Sequence, residues 1–450
     1  MELKLRLLIE EIMRYYSLKN YKHKVTFEEA IIQGLSQYKG LYFPERIPLL
    51  TKKFLKKLYK KNIYDLAYQL IHPFIGKTIP YNIIYSIITE TLRFPLPIQN
   101  IDKNKNIYAL ELYQGSTMAF KDIGAKFMAG CLGYFMCKKD SYITVLVATS
   151  GDTGGAVANG FFKVDGIKVV ILYPSKRVSE FQEKQLTSLG DNIISLEIDG
   201  DFDDCQKLVK KAFLDSFLQI NRKLTTANSI NIARWLPQMF YYCIAYRSIE
   251  KKEQKEVIFS VPSGNFGNIC AGMMVERMVL PISLFIASTN ANDTIPRFID
   301  THIYDPKKAK LTLSNAMDVA DPSNFIRILA LHSNKQLLRK QMKAYRFSDE
   351  QTIITMQNVW KKIKYILDPH GSVSFLGIIK FLKEKRKYLI GLLFETAHPI
   401  KFSEMIKESL RKYISSPHNY YCNSYFKKDK NSYRLSTKYE EFREFLLDTN

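Results

Sequence analysis

Three times along this chain an apolar run ends in a glycine-bearing loop and passes straight into a helical segment. Residues 143–149 (ITVLVAT) lead into Ser150-Gly151-Asp152-Thr153-Gly154-Gly155 and a helical Ala156-Val157-Ala158. Residues 257–261 (VIFSV) lead into Pro262-Ser263-Gly264-Asn265-Phe266-Gly267-Asn268 and a helical 269–278. Residues 107–113 (IYALELY) turn at Gln114-Gly115-Ser116-Thr117 ahead of an amphipathic stretch that opens near Lys121. A strand that is apolar on successive residues has no face suited to water, so it belongs inside a parallel sheet covered by helices. Strand, loop and helix in alternation imply βαβ units, so from about residue 101 the chain reads as α/β.

The whole chain has 450 residues, about three domains' worth at roughly 150 residues each. Residues 1–100 have another texture. Apolar residues recur at helical spacing in 26–34 and 52–75, and the region closes at Phe94-Pro95-Leu96-Pro97, a linker-like proline pair. The expected division is a mainly helical 1–100, an α/β region 101–235 that includes a smaller, mobile domain, and a larger α/β domain 236–450 with a C-terminal extension. Hydrophobic residues make up 46% and charged residues 24%, which excludes a mainly disordered chain.

Lys and Arg number 66 against 44 Asp and Glu, a formal net charge of +22. Such a balance raises a nucleic-acid partner as one reading. The cationic clusters fall outside the three junctions, at 52–61, 361–364, 380–387 and 427–430, and Lys predominates where bidentate phosphate recognition favours Arg. A solvated lysine-rich surface is the preferred reading, with no nucleic-acid partner. The six cysteines show no metal-type spacing, so no metal is expected and the thiols read as reduced. No window approaches the ~18 uninterrupted apolar residues of a membrane span, and residues 1–16 carry acidic side chains foreign to a signal peptide. A cytoplasmic location without a membrane partner is expected.

Glycine loops that feed helix N-termini present free backbone N–H groups to anions. Neither 150–155 nor 262–268 is a nucleotide fingerprint, so the expected ligand is a phosphorylated cofactor or a phosphate- or carboxylate-bearing substrate. Asn228, Ser229 and Arg234 put amide, hydroxyl and guanidinium groups within seven residues, a set able to hold phosphate. Helix capping with a surface Arg is the alternative. Lys121, at a helix start beside Asp122, is either a desolvated nucleophile or a lysine that snorkels to the surface. Asn290, Asn292, Asp293 and Arg297 read as a polar loop or a substrate contact. His370 and His398, each beside a proline, read chiefly as structural hydrogen-bonding residues.

Taken together, Glu111 to Asp122 (ELYQGSTMAFKD), Ala148 to Gly154 (ATSGDTG), Ala227 to Asn231 (ANSIN) with Arg234, and Val261 to Gly267 (VPSGNFG) resemble the threonine synthase family in its longer, bacterial and fungal form. Thr289 to Arg297, Leu313 to Asp318, Asp368-Pro369-His370 and Thr396 to Phe402 extend the likeness, which runs in order from about Tyr16 to Phe402. The resemblance implies an enzyme that uses pyridoxal 5'-phosphate in fold type II, the tryptophan-synthase β-chain class, with two open α/β domains around a cofactor cleft. By position, Lys121 matches the lysine that carries the cofactor as a Schiff base. Gly264, Asn265, Phe266, Gly267 and Asn268 match its phosphate cradle, and Thr396 the neutral partner of its pyridine nitrogen. Asp152 matches a residue beside the cofactor ring. Ser150, Gly151 and Thr153 match the loop that takes the substrate carboxylate. Asn228, Ser229 and Arg234 match the groups that hold its phosphate. The family commonly has Pro where this chain has Ser116, which loosens a turn ahead of Lys121 without removing a reactive group.

The implied reaction is the conversion of O-phospho-L-homoserine and water to L-threonine and phosphate, the last step of threonine biosynthesis. Closure of the smaller domain on substrate is expected to keep out premature water. The rival within the fold is a dehydratase or phospho-lyase that yields 2-oxobutanoate; the rival outside it is a basic nucleic-acid-binding protein on a retained fold. The oligomeric state stays open between monomer and homodimer.

Overall fold

The computed structural model describes residues 13–149, 151–249, 256–332, 334–385, 389–403 and 429–448. The N-terminal region is mainly helical, as its periodicity predicts, with helices at Phe27–Gln33, Lys52–Lys57, Ile63–Ile75 and Tyr81–Thr91. Thr26 and Glu29 form a capping box on the first, and Asn62 caps the third. The region also holds an unexpected three-stranded antiparallel sheet of β1 (Tyr15–Ser17), β2 (Asn20–Val25) and β3 (Tyr42–Pro44). The sequence NYKHKV of β2 is polar and largely exposed, so it carries no apolar alternation to announce a strand.

From there the chain alternates. β4 (Ile98–Asp102) and β5 (Ile107–Glu111) precede β6 (Ile143–Ala148), β7 (Ile167–Pro174), β8 (Ile193–Ile198) and β9 (Leu224–Thr226). β10 (Val257–Pro262), β11 (Leu284–Thr289), β12 (Met342–Arg346), β13 (Ile390–Glu395) and β14 (Tyr433–Leu435) follow. They build a six-stranded sheet in the order β12-β11-β10-β13-β5-β4 and a five-stranded sheet in the order β14-β8-β7-β6-β9. Every pairing in the two is parallel except β4 with β5. The central strands are buried along nearly their whole length, as their unbroken apolar runs require.

The sheets cut across the expected limits at 101 and 235. β5 pairs with β13, Ile107 opposite Gly391, so the strand that leads to Lys121 belongs to the larger sheet. The C-terminal segment joins the smaller one: β14 pairs with β8, and Phe442 and Leu446 pack into a core with Leu146, Val170 and Leu196. Tyr439 and Arg443 both bond Asp215 Oδ2, at 2.8 and 2.7 Å. Strand pairing in a parallel sheet is non-local, and neither crossover has a local signal in the chain.

Candidate active site

The C-terminal ends of strands from both sheets open on one cavity of 510 Å³, the place where parallel sheets present loops to ligands. Ala148 and Thr149 reach it from the end of β6, Gly264 from beyond β10 and Thr396 from the end of β13. Lys121 opens helix Lys121–Lys139 on its wall.

Backbone geometry fixes that lysine. Met118 takes the left-handed conformation (φ 55°) and its N–H donates to Gly115 O at 3.0 Å. The Phe120 N–H donates to Thr396 O at 2.9 Å, and the His398 N–H to Met118 O at 3.1 Å. The two segments thus lock together immediately before the helix begins. Asp122 accepts from the Thr117 N–H at 2.9 Å and from the Thr117 hydroxyl. Ser116, where the resemblance leads one to expect Pro, has its Oγ 2.5 Å from Asn159 Oδ1, so a hydrogen bond replaces the ring's constraint on the turn.

Lys121 is not a snorkelling lysine. Its Nζ lies 3.6 Å from Asp152 Oδ2 and 5.1 Å from the centre of the Phe120 ring. Burial lowers its pKa, with Lys401 and Arg234 acting the same way and Asp152 opposing them. Burial alone would raise Asp152, but Lys401 and Lys121 together hold it well below the usual carboxylate range. Lys401 Nζ stands 2.6 Å from Asp152 Oδ1, which also accepts from Gln182 Nε2 at 3.0 Å.

The 262–268 loop touches the segment of Asn228, Ser229 and Arg234. Asn265 Nδ2 donates to Ser229 Oγ at 2.7 Å, and Asn265 Oδ1 accepts from the Ser323 N–H at 2.6 Å. Phe266 is left-handed (φ 59°) and ends the loop so that Gly267–Met278 can start as a helix. A Cβ on Gly264 would stand 2.6 Å from Met317 Cα, so the loop lies against backbone there. Asn228 Nδ2 is spent bracing Ala148 O at 2.9 Å. Arg234 is buried, donates from Nη1 to Lys121 O at 3.3 Å and keeps Nε without a partner. Burial pushes its pKa down to about 10.

Of the residues singled out in the sequence, Lys121, Asp152, Thr153, Asn228, Ser229, Arg234, Gly264, Asn265, Phe266, Gly267, Asn268 and Thr396 line this cavity. Gly151 does not. It shapes the turn behind the wall at φ 139°, its N–H donates to Thr149 Oγ1 at 3.0 Å, and a Cβ there would meet the Gln182 side chain. Ser150 lies outside the described residues. The polar loop at 290–297 is occupied internally: Asn290 and Asn292 bond Asp318, and Arg297 pairs with Asp293.

Four residues of consequence were not picked out as site residues from sequence. Lys401 looked like one more lysine among many. Asp318 and His370 line the cavity although nothing in their local pattern separates them from turn residues. Arg327, fully buried over the Trp235 ring, donates to Tyr42 O, Ser229 O, Ile230 O and Asn324 Oδ1, and so ties the N-terminal sheet to the anion loop.

The cavity suits an anionic cofactor. Asn268 Nδ2 and Arg234 Nε are buried donors without acceptors, and two cations, Lys121 and Lys401, share the one carboxylate of Asp152. Unmatched buried donors are costly and mark a missing acceptor. Residues 88–390 match the family model described as pyridoxal-phosphate dependent enzyme, and 14–92 the model described as threonine synthase N terminus. A threonine synthase of Buchnera aphidicola subsp. Baizongia pistaciae is 40% identical over 97% of this chain and 100% of its own. The threonine synthase structure from Escherichia coli superposes with a TM-score of 0.89 at 36% identity, covering 97% of this chain and 100% of that one. A pyridoxal-phosphate-bound threonine synthase from Brucella melitensis gives 0.88 at 32% identity, covering 96% and 98%. With this cavity and these relatives, the chain belongs to the threonine synthase family of pyridoxal-phosphate-dependent enzymes.

Proposed function

We propose that this chain converts O-phospho-L-homoserine and water to L-threonine and phosphate, as a lyase of threonine biosynthesis. The observation that carries the reading is that Lys121, an amine of lowered pKa 3.6 Å from Asp152, lines one cavity with Gly264 to Asn268 and with Asn228, Ser229 and Arg234. Lys121 would hold the cofactor, Gly264 to Asn268 its phosphate and Thr396 its pyridine nitrogen. When bound, the cofactor supplies the electron sink that makes protons at Cα and Cβ removable.

The chain's own groups do the rest. Once the substrate amine releases it, Lys121 Nζ is the base that takes the proton at Cα and later returns it. Asp152, ionised through Lys401, keeps Nζ oriented. N–H groups at the start of helix Asp152–Phe161, with Thr153, would take the substrate carboxylate. Ser229 and Arg234, with Asn228 beside them, would hold the γ-phosphate and stabilise its charge as it leaves. A cytoplasmic setting goes with this role, and among the described residues no helix is long and apolar enough to cross a membrane.

A threonine-formation assay with O-phospho-L-homoserine, with homoserine as control, tests the reading. Threonine and phosphate in equal amounts, from the phosphorylated substrate only, are expected. The product 2-oxobutanoate with ammonia would assign the chain to the dehydratase or phospho-lyase class instead.

A further inference from the structure

The N-terminal region has no part in the chemistry above, yet it touches the segment proposed to hold the substrate's phosphate. Helix Phe27–Gln33 ends against β9, the strand that leads into that segment. Gly34 lets it approach: φ there is 66°, and a Cβ would stand 2.9 Å from Thr225 Oγ1 and 3.2 Å from the Thr226 backbone N. The last carbonyls of a helix have no partner within it. Here the Gly34 N–H donates to Ala30 O and the Leu35 N–H to Gln33 O, so Ile31 O accepts from outside the helix. Thr225 Oγ1 and Asn231 Nδ2 both donate to it, each at 3.0 Å. Two donors match the two lone pairs of a carbonyl. Ile31, Thr225 and Asn231 are all fully buried.

From that contact Asn231 reaches each group of the phosphate segment. Its Nδ2 also donates to Thr226 O at 3.1 Å, which closes residues 226–231 into a loop around Asn228 and Ser229. Its Oδ1 accepts from the Ala233 N–H at 3.0 Å and so caps Ile232–Trp235, the short helix that carries Arg234. Its backbone N–H donates to Asn228 O at 3.0 Å, and its carbonyl accepts from the Arg234 N–H at 3.1 Å. Arg234 is held from the other side as well. Its carbonyl accepts from Gln238 Nε2 at 3.0 Å, and a Cβ on Gly124 would stand 3.0 Å from that oxygen. A second link to the N-terminal region is Arg327, which spans Tyr42 O and the loop carbonyls of Ser229 and Ile230.

The reaction proposed above, on which this inference rests, puts the γ-phosphate against Asn228, Ser229 and Arg234. A guanidinium and a hydroxyl grip phosphate well only where they already point at it. Arg234 Nε has no partner in the chain, so the direction of that side chain comes from the backbone that carries it. We propose that Asn231 is the positioning residue of the phosphate site, and that the N-terminal region serves the reaction by holding Asn231 through Ile31 O. Asn231 touches no substrate. It keeps the 226–231 loop and the Arg234 helix in one geometry, so their ordering is complete on folding and does not weaken binding.

The test compares wild-type holoenzyme with Asn231→Ala, Thr225→Val, Thr225→Ser and Ile84→Ala. It reads KM for O-phospho-L-homoserine in threonine formation, the inhibition constant of inorganic phosphate, cofactor affinity by absorbance titration, and the unfolding midpoint. In Asn231→Ala, KM and the phosphate constant should rise together by about tenfold, the worth of a buried hydrogen bond, while cofactor affinity matches the wild type. Thr225→Val loses one bond to Ile31 O and keeps its shape, so both constants rise by less. Thr225→Ser keeps the hydroxyl and restores them. Ile84→Ala opens a cavity in the core of the same region and lowers the midpoint, yet should leave both constants at their wild-type values. That control separates positioning from a general loss of stability, and Thr225→Val decides the matter where Asn231→Ala fails to fold. Constants unchanged in Asn231→Ala and Thr225→Val, or raised as far by Ile84→Ala, would overturn the inference and leave the reaction standing. A wild type that makes no threonine would overturn the reaction itself, and this inference with it.

Discussion

Lys401 Nζ stands 2.6 Å from Asp152 Oδ1, and the Lys401 side chain is wholly out of reach of solvent. A second bond runs from the same ammonium to Thr117 O at 3.0 Å, four residues before Lys121 opens its helix. This one cation therefore holds Asp152 ionised and anchors the turn that presents the reactive amine.

Replacing Lys401 by Met strands a buried carboxylate. Breaking a buried ion pair from one side costs about 3–5 kcal/mol, so the unfolding midpoint should fall accordingly. The pH dependence has a definite sign. Because the folded-state pKa of Asp152 is depressed, its contribution is complete above the unfolded value of about 3.9 and is lost as pH falls through the folded value. Without Lys401 burial dominates and the folded pKa rises, so the stranded carboxyl takes up a proton as pH falls and the deficit against wild type should shrink toward acid pH. Thermal melts from pH 3 to 8 read both effects.

Arg234→Ala should cut kcat/KM for O-phospho-L-homoserine by about tenfold to a hundredfold, the worth of a charge-assisted bond to phosphate. Cofactor content should stay near that of the wild type. Steady-state kinetics with a cofactor titration check this, and unchanged kinetics would remove Arg234 from the phosphate site.

Gly264→Ala drives a methyl to 2.6 Å from Met317 Cα, a backbone atom that cannot swing aside. Overpacking of this kind costs about 1–3 kcal/mol. The strain falls on the loop proposed to cradle the cofactor phosphate, so cofactor affinity should drop about tenfold or more, as read by absorbance titration.

Arg327→Met leaves four acceptors unpaired: Tyr42 O, Ser229 O, Ile230 O and Asn324 Oδ1. Each unsatisfied buried group costs about 1–3 kcal/mol. The variant should be markedly less stable to urea, and its KM for the phosphorylated substrate should rise because the Ser229 loop loses its brace.

The glycine loops and Lys121 were legible because each needs its residue type at a fixed offset from an apolar run. Lys121 was ambiguous alone, and its burial emerges only where the 115–121 turn bonds the 396–398 segment. Lys401 and Arg327 were not legible for the same reason. In a chain with 66 Lys and Arg, nothing local marks the few that tertiary packing buries. The boundary at 235 missed because β5 and β13 are neighbours in space, although nearly three hundred residues separate them along the chain. The small N-terminal sheet was hidden by the polar sequence of β2, whose strands are held by backbone pairing with β1.

The central claim is that Lys121 is the cofactor's lysine. Borohydride reduction of the holoenzyme followed by peptide mapping tests it directly. A stable pyridoxyl label on Lys121 alone is expected; a label on Lys401 or any other lysine, or none at all, would contradict that role.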